Sequence, residues 1–384
     1  MTAAVQPDLR KNKKRFERLT DAQLLTIISA IIFIVMYMAA IRFMPEKAKF
    51  YKPQVFIDIL GINAYLIIIA CSLTIVMIGG GINISVGGVI CLTCMACSRF
   101  LNESGIQDPT WLVIATFLLA IGIGTFFGAF QGALISFLEI QPFIITLAGM
   151  FLTRGLTTML SSTGVDVPKS NPFTVLSEAE ITIPWLGSLT KKGNWDPCEI
   201  ELGALVAIGV VIVIFLVMRY TKFGRNTYAI GGNQQSAQML GINVKVTRFN
   251  TYLLSGILSG LAGFVFMMHN GAGGKTGIGL RSEMDAIAAS IIGGTLLSGG
   301  VGNVIGSFFG AMILGTTQRI IWLSGVEESY WQDMANGVLL GLFIVLQSVV
   351  LSIRSKGRIS LPPWLKFTKK EPGGEPDSGG KIKA

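Results

Sequence analysis

"LLTIISAIIFIVMYMAAI", residues 24–41, decides the class of this chain. The run holds no charged residue and no alternation of polar with apolar positions. A membrane-spanning strand needs about ten residues that alternate, so a barrel is a poor fit. A spanning helix needs roughly 20 apolar residues, with about 17–25 tolerated, and this run suits it. Similar runs cover 57–78, 86–100, 111–135, 143–160, 203–218, 249–268, 284–300, 303–323 and 334–353. Several are short or broken by glycine, so eight or nine spans also fit. The predicted fold is all-α: a polytopic transmembrane helical bundle of about 10 spans.

Composition agrees. The 384 residues are 51% hydrophobic and 14% charged, against about 25% charged in a soluble domain. Forty-six glycines would weaken helices in water by up to about 1 kcal/mol each relative to Ala. In lipid, small residues let helix backbones approach closely.

The net charge of +9 raises nucleic acid as a partner, but its placement argues for no nucleic acid. Basic residues gather beside span ends, in "RKNKKRFER" (10–18), "RYTKFGR" (219–225) and "RSKGR" (354–358). With ten spans all three fall on one side, which the positive-inside rule makes cytoplasmic. Residues 42–52 dissent: Arg42, Lys47, Lys49 and Lys52 face only Glu46 yet are placed outside. The expected division is a basic cytoplasmic segment (1–23), a transmembrane domain (24–353) and a cytoplasmic tail (354–384). The domain contains an external loop (161–202) and a cytoplasmic loop (219–248). The 10–18 run reads as the flank of a first anchor rather than of a cleavable signal, and the tail's 366–384 stretch as disordered.

Two halves echo each other. G-[ST]-F-F-G-A recurs at 124–129 and 306–311, within the glycine series Gly124, Gly128, Gly132 and Gly302, Gly306, Gly310. These fall in the fourth and ninth spans, which run in opposite directions, as two inverted halves of about five spans require. The glycines are expected at tight helix contacts. The loop 161–202, with "ITIPWLGSL" at 181–189, is expected to be an ordered cap or a partner-binding surface.

"YAIGGNQQSAQMLGINVKV" (228–246) is a polar stretch between two spans. Gly231 and Gly232 lead to Asn233 as N-cap, a short helix follows from Gln234 to Leu240, and Gly241 ends it.

Four stretches together resemble a known family: "GGGINISVGGVI" (79–90), "QPFIITLAGMFLTRG" (141–155), "KFGRNTYAIGGNQQSAQMLGINV" (222–244) and "MDAIAASIIGGTLLSGGVGNVIGSFFGAMILG" (284–315). The chain resembles the permeases of bacterial ribose/xylose/galactose ABC importers, most of all the galactofuranose type. One departure is Asn83, where the family usually carries Asp. The external loop is also longer than expected.

The resemblance implies a short cytoplasmic helix that docks in a cleft of the ATPase subunit. Residues 233–240 are the candidate, with Met239 and Leu240 as apolar contacts and Gln234, Gln235 and Gln238 as hydrogen-bonding groups. It further implies an extracytoplasmic sugar-binding protein, and a second permease copy or a sister permease. Its place would be the bacterial inner membrane, with both termini cytoplasmic and the lipid bilayer as its surroundings. ATP and Mg belong on the partner ATPase; this chain is expected to hold no cofactor and to be no enzyme.

For the sugar path the polar residues inside or beside spans are Asn83, Ser85, Gln131, Gln141 and Thr146, with Phe143 beside them. A neutral, hydroxyl-rich solute needs such groups rather than fixed charge. Arg154 lies within a span, where charge costs at least about 2.5–3.5 kcal/mol and turns toward a partner or a wet cavity. Glu283 and Asp285 are its candidate partners; Arg154 either lines or gates the outer mouth or snorkels to the outer boundary near Ser161 and Ser162.

Other readings fall away. Gly274-Lys275-Thr276 resembles the end of a phosphate loop, but His269 stands where the first glycine should be. Cys91, Cys94 and Cys97 have metal-like spacing but lack a nearby His, and read as small residues on a helix face. Cys198 is alone in the external loop, and Cys71 is inside a span. His269, the only histidine, is a boundary residue. An ion-coupled carrier would need buried carboxylates, but Asp58, Glu139, Asp285 and Asp333 all lie at span boundaries.

Overall fold

A computed structural model describes residues 20–44, 49–106, 108–168, 170–177, 180–189, 195–271, 273–275, 277–325 and 329–356. The 10–18 run, Glu46, Lys47, Thr276 and residues 357–384, each singled out above, lie outside the described residues. The elements, in order, are α1 (Asp21–Phe43), α2 (Pro53–Ile62), α3 (Ala64–Ile78), α4 (Val86–Glu103), α5 (Pro109–Phe137), α6 (Pro142–Leu160), α7 (Pro172–Ser177), β1 (Glu180–Leu189), β2 (Trp195–Glu201), α8 (Leu202–Tyr220), α9 (Lys222–Gly232), α10 (Gln234–Met239), α11 (Val244–His269), α12 (Ser282–Ile292), α13 (Val304–Leu323) and α14 (Ser329–Lys356).

Among the described residues seven helices are long and apolar enough to cross a membrane: α1, α5, α6, α8, α11, α13 and the 330–352 part of α14. The count becomes eight if α2 and α3, bent by 57° at Asn63, make one broken span. The run 284–300 is therefore not a full helix, because α12 stops at Ile292 ahead of Gly293-Gly294. The helical part of α14 also passes residue 354, three residues into the expected tail. The described residues from Val345 to Lys356 fall in a second unit and are helical.

Within the first unit the most apolar helix is the most enclosed. Side chains Ile67 to Ile78 of α3 are almost wholly buried, ringed by α8, α11, α12 and α13. A helix apolar on every face belongs at such a centre. By contrast α1 and α6 are mostly uncovered, as lipid-facing helices should be.

Both glycine series make close contacts, with different neighbours. A methyl at Gly124 or Gly128 would overlap the backbone of Gly256 on α11, while Gly132 abuts Tyr252 and Phe249. On α13, Gly306 and Gly310 abut Gly293, just past the end of α12, and Ala289 of α12. Gly302 precedes that helix and lies instead against Ile78 and Thr295.

The 161–202 loop carries α7 and a two-stranded antiparallel hairpin, and Val165 makes an isolated antiparallel bridge to Gly274. The register passes from Ile183↔Cys198 directly to Gly187↔Pro197, so Pro184, Trp185 and Leu186 bulge outward. Gln54 of α2 anchors the hairpin: its Nε2 donates to Glu199 O and its Oε1 accepts from Glu199 N, both at 2.9 Å. His269 Nδ1 lies 2.9 Å from Glu201 Oε2, tying the end of α11 to the end of β2.

Candidate functional site

Three side-chain caps shape residues 221–246. Thr221 Oγ1 accepts from Gly224 N at 3.3 Å, starting α9. Asn233 Oδ1 accepts from Ser236 N at 2.8 Å, starting α10. Asn243 Oδ1 accepts from Val246 N at 3.1 Å, starting α11. The left-handed Gly241, at φ +77°, ends the middle helix. The expected cap residue and stop are thus in place, although the helix ends at Met239 rather than Leu240. Gly231 and Gly232 lead directly to Asn233. They are the last residues of α9.

Ala237 fastens α10 inward: it is 1% exposed and packs with Ile230 and Val244. Met239 and Leu240 project outward, 89% and 79% exposed. Gln234 Oε1 accepts from Arg248 at 2.8 Å, while Gln235 and Gln238 are exposed. A short capped helix presenting two apolar side chains is suited to insertion in a partner's groove.

Beyond α3 the chain leaves helical form at Gly79 and re-enters it at Val86. Three of the expected path residues meet in this break. Asn83 Nδ2 donates to Ser255 Oγ at 2.9 Å, and its Oδ1 accepts from Ser85 N at 3.1 Å. Ser85 Oγ lies 2.7 Å from Asn83 Oδ1 and 2.9 Å from Gln131 Oε1. Ser255 Oγ is also 2.7 Å from Ser72 Oγ. Both ends of the Asn83 amide are used, and a carboxylate could not donate to Ser255. Asparagine therefore fits this network. Gln131 Nε2 has no partner among the described residues, and it occupies space that a side chain at Gly149 would need.

All of these polar groups are buried within the chain, so they brace the broken segment. The remaining residues of this group lie elsewhere. Gln141 and Phe143 are exposed at the start of α6, and Thr146 donates to Pro142 O of its own helix at 2.9 Å. Lys245 pairs with Glu139 at 3.0 Å, which puts that end of α6 beside the start of α11.

Farther along α6, Arg154 reaches Glu283 at the start of α12 at 2.9 Å. The Glu283 side chain is 7% exposed, and its Oε2 and Arg154 Nε have no partner among the described residues. Asp285 accepts from Asn336 Nδ2 at 2.9 Å, and Arg281 pairs with Asp333. The expected Arg154–Glu283 contact is thus present, while Asp285 turns to α14. The three thiols of α4 do not converge. Cys94 faces Gly263 O, Cys97 faces Thr116 O, and Cys91 faces Lys275 O. Sequence reading missed Ser72, Ser255 and Asn336, since serines and amides within spans carry no distinguishing spacing.

The chain resembles known permeases over most of its length. It is 40% identical over 323 residues to the inner membrane ABC transporter permease protein YjfF of Escherichia coli, covering 84% of this chain and 91% of that protein. It is 32% identical over 355 residues to the fructose import permease protein FruG of Bifidobacterium longum, covering 92% and 98%. It is also 32% identical over 296 residues to the ribose import permease protein RbsC of Haemophilus influenzae, covering 76% and 84%. No solved structure matches. A family model described as "Branched-chain amino acid transport system / permease component" matches residues 55–347, and the chain belongs to that family of ABC transport permeases.

Proposed function

We propose that this chain is the transmembrane subunit of a binding-protein-dependent ABC importer that moves a monosaccharide across the bacterial inner membrane. The observation that carries the reading is α10, capped by Asn233, stopped at Gly241 and exposing Met239 and Leu240. Relatives named for fructose and ribose import support a sugar as cargo. A separate ATPase would bind ATP and Mg and receive α10 in a cleft. A sugar-binding protein would deliver cargo at the opposite end, and a second permease copy or a sister permease would complete the path.

The test is co-purification in mild detergent with the ATPase encoded beside this chain. The native chain should retain the ATPase, and a chain with residues 233–240 replaced by a Gly/Ser linker should lose it. Retention by both would refute the role of α10. Loss by both, with ATP-independent transport in vesicles, would favour an ion-coupled carrier instead.

A further inference from the structure

Two helix breaks and the end of α9 meet where almost no side chain intervenes. α3 and α12 end in the same way. Gly81 N donates to Val76 O and Thr295 N to Ser290 O, both at 3.0 Å, across left-handed Gly80 (φ +78°) and Gly294 (φ +93°). The hydrogen bond of a later amide to a carbonyl five residues back, over a left-handed glycine, is a stable helix stop. The second break folds back on itself through Leu296 N to Val301 O at 3.0 Å, then meets the first through Gly300 N to Ile78 O at 2.9 Å.

The end of α9 sits on both breaks. A methyl at Gly231 would overlap Ile78 O and lie 2.6 Å from Gly300 N. One at Gly299 would lie 2.9 Å from Gly80 Cα and 3.0 Å from Gly231 O. Tyr228, one turn earlier on α9, donates its hydroxyl to Gly302 O at 2.8 Å.

We propose that the junction of Gly80, Gly231, Gly299 and Gly300, pinned by the Tyr228 hydroxyl, is the joint through which displacement of the coupling segment reaches both helix breaks. The inference rests on the coupling role proposed for α10. Side chains between two elements can absorb a shift by changing rotamer, whereas touching backbones must move together or separate. From the joint two routes lead inward. Residues 79–85 carry Asn83 and Ser85 to the buried polar network. Along the other, α12 is a rod of 11 residues, about 16 Å at roughly 1.5 Å per residue, whose far end carries Glu283 to Arg154.

The experiment is hydrogen exchange of the chain assembled with its ATPase in lipid nanodiscs, with and without ATP. In the native complex ATP should change exchange of peptides 234–241, 79–85 and 293–303, each by roughly fivefold or more, the lower edge of ordinary allosteric coupling. In Gly231→Ala and in Tyr228→Phe, 234–241 should still respond while the two breaks fall silent. Gly232→Ala, where a methyl meets open space, should behave as the native chain. If Gly231→Ala does not assemble, Tyr228→Phe alone decides, since it removes one hydroxyl and keeps the ring. Breaks that respond normally in Tyr228→Phe, or that stay silent in the native complex while 234–241 responds, would overturn the joint. Silence of 234–241 itself would overturn the coupling reading and the joint with it.

Discussion

Where α9 meets the two helix breaks, backbone rests on backbone and glycine leaves nothing between them. Where α6 meets the start of α12, contact is made by the Arg154 and Glu283 side chains at 2.9 Å. The first kind of contact tolerates no added volume and transmits position. The second depends on charge, and it can open by side-chain rotation without moving a helix. Glu283 Oε2 and Arg154 Nε also lack partners among the described residues, so water reaching them would satisfy them.

The contrast can be broken by exchanging the perturbations. Arg154→Met should have the largest effect: it leaves Glu283 buried without its cation, a loss of about 3–5 kcal/mol. The thermal midpoint in detergent should fall, and uptake with it. The double variant Arg154→Met with Glu283→Met should recover most of the midpoint; if it does not, the pair is not an isolated contact. Next comes Gly128→Ala, which adds volume between α5 and α11 and should cost about 1–3 kcal/mol. Gly122→Ala on the same helix meets nothing within 4 Å and should leave the midpoint unchanged. Equal effects from the two would show that glycine count, rather than contact, sets the stability.

Ser85→Ala should be milder. It removes the hydroxyl shared by Asn83 and Gln131, at a cost of about 1 kcal/mol, with loosened exchange confined to 79–85. The smallest effect belongs to the hairpin. A hydrogen bond with Glu199, then burial, then the charges of Glu199, Glu201 and Asp58 raise the Glu180 carboxyl above its ordinary value. A proton held more tightly in the folded state stabilises below the unfolded glutamate value, about 4.3, and that contribution disappears as pH rises through the folded value. Exchange of residues 195–201, corrected for intrinsic rate, should quicken over that rise, and Glu180→Gln should flatten the trend.

The fold was legible because long apolar runs have few alternatives to a spanning helix. Asn233 and Gly241 were legible because capping is local chemistry, decided within a few residues. Residues 284–300 misled because "IIGGTLLSGG" is apolar enough for lipid while its paired glycines terminate a helix; hydropathy records the first property only. The 124–129 and 306–311 echo located close contacts correctly, but their partners, Gly256 on one helix and Ala289 on another, are remote in sequence. The Arg154–Glu283 pair could be anticipated because an intramembrane cation demands an anion. Three of the four residues in the Asn83–Ser85–Gln131–Ser255 network were visible, and the fourth was not, since nothing local distinguishes Ser255 from a serine facing its own helix.

Gln54 offers a different lesson. Its amide presents one donor and one acceptor to the backbone of Glu199, standing in for the missing edge of a third strand. Such an anchor recognises a peptide group and is indifferent to the side chain attached to it, proline excepted. The hairpin is therefore held as an interchangeable part. Its sequence can diversify while its attachment to α2 stays the same.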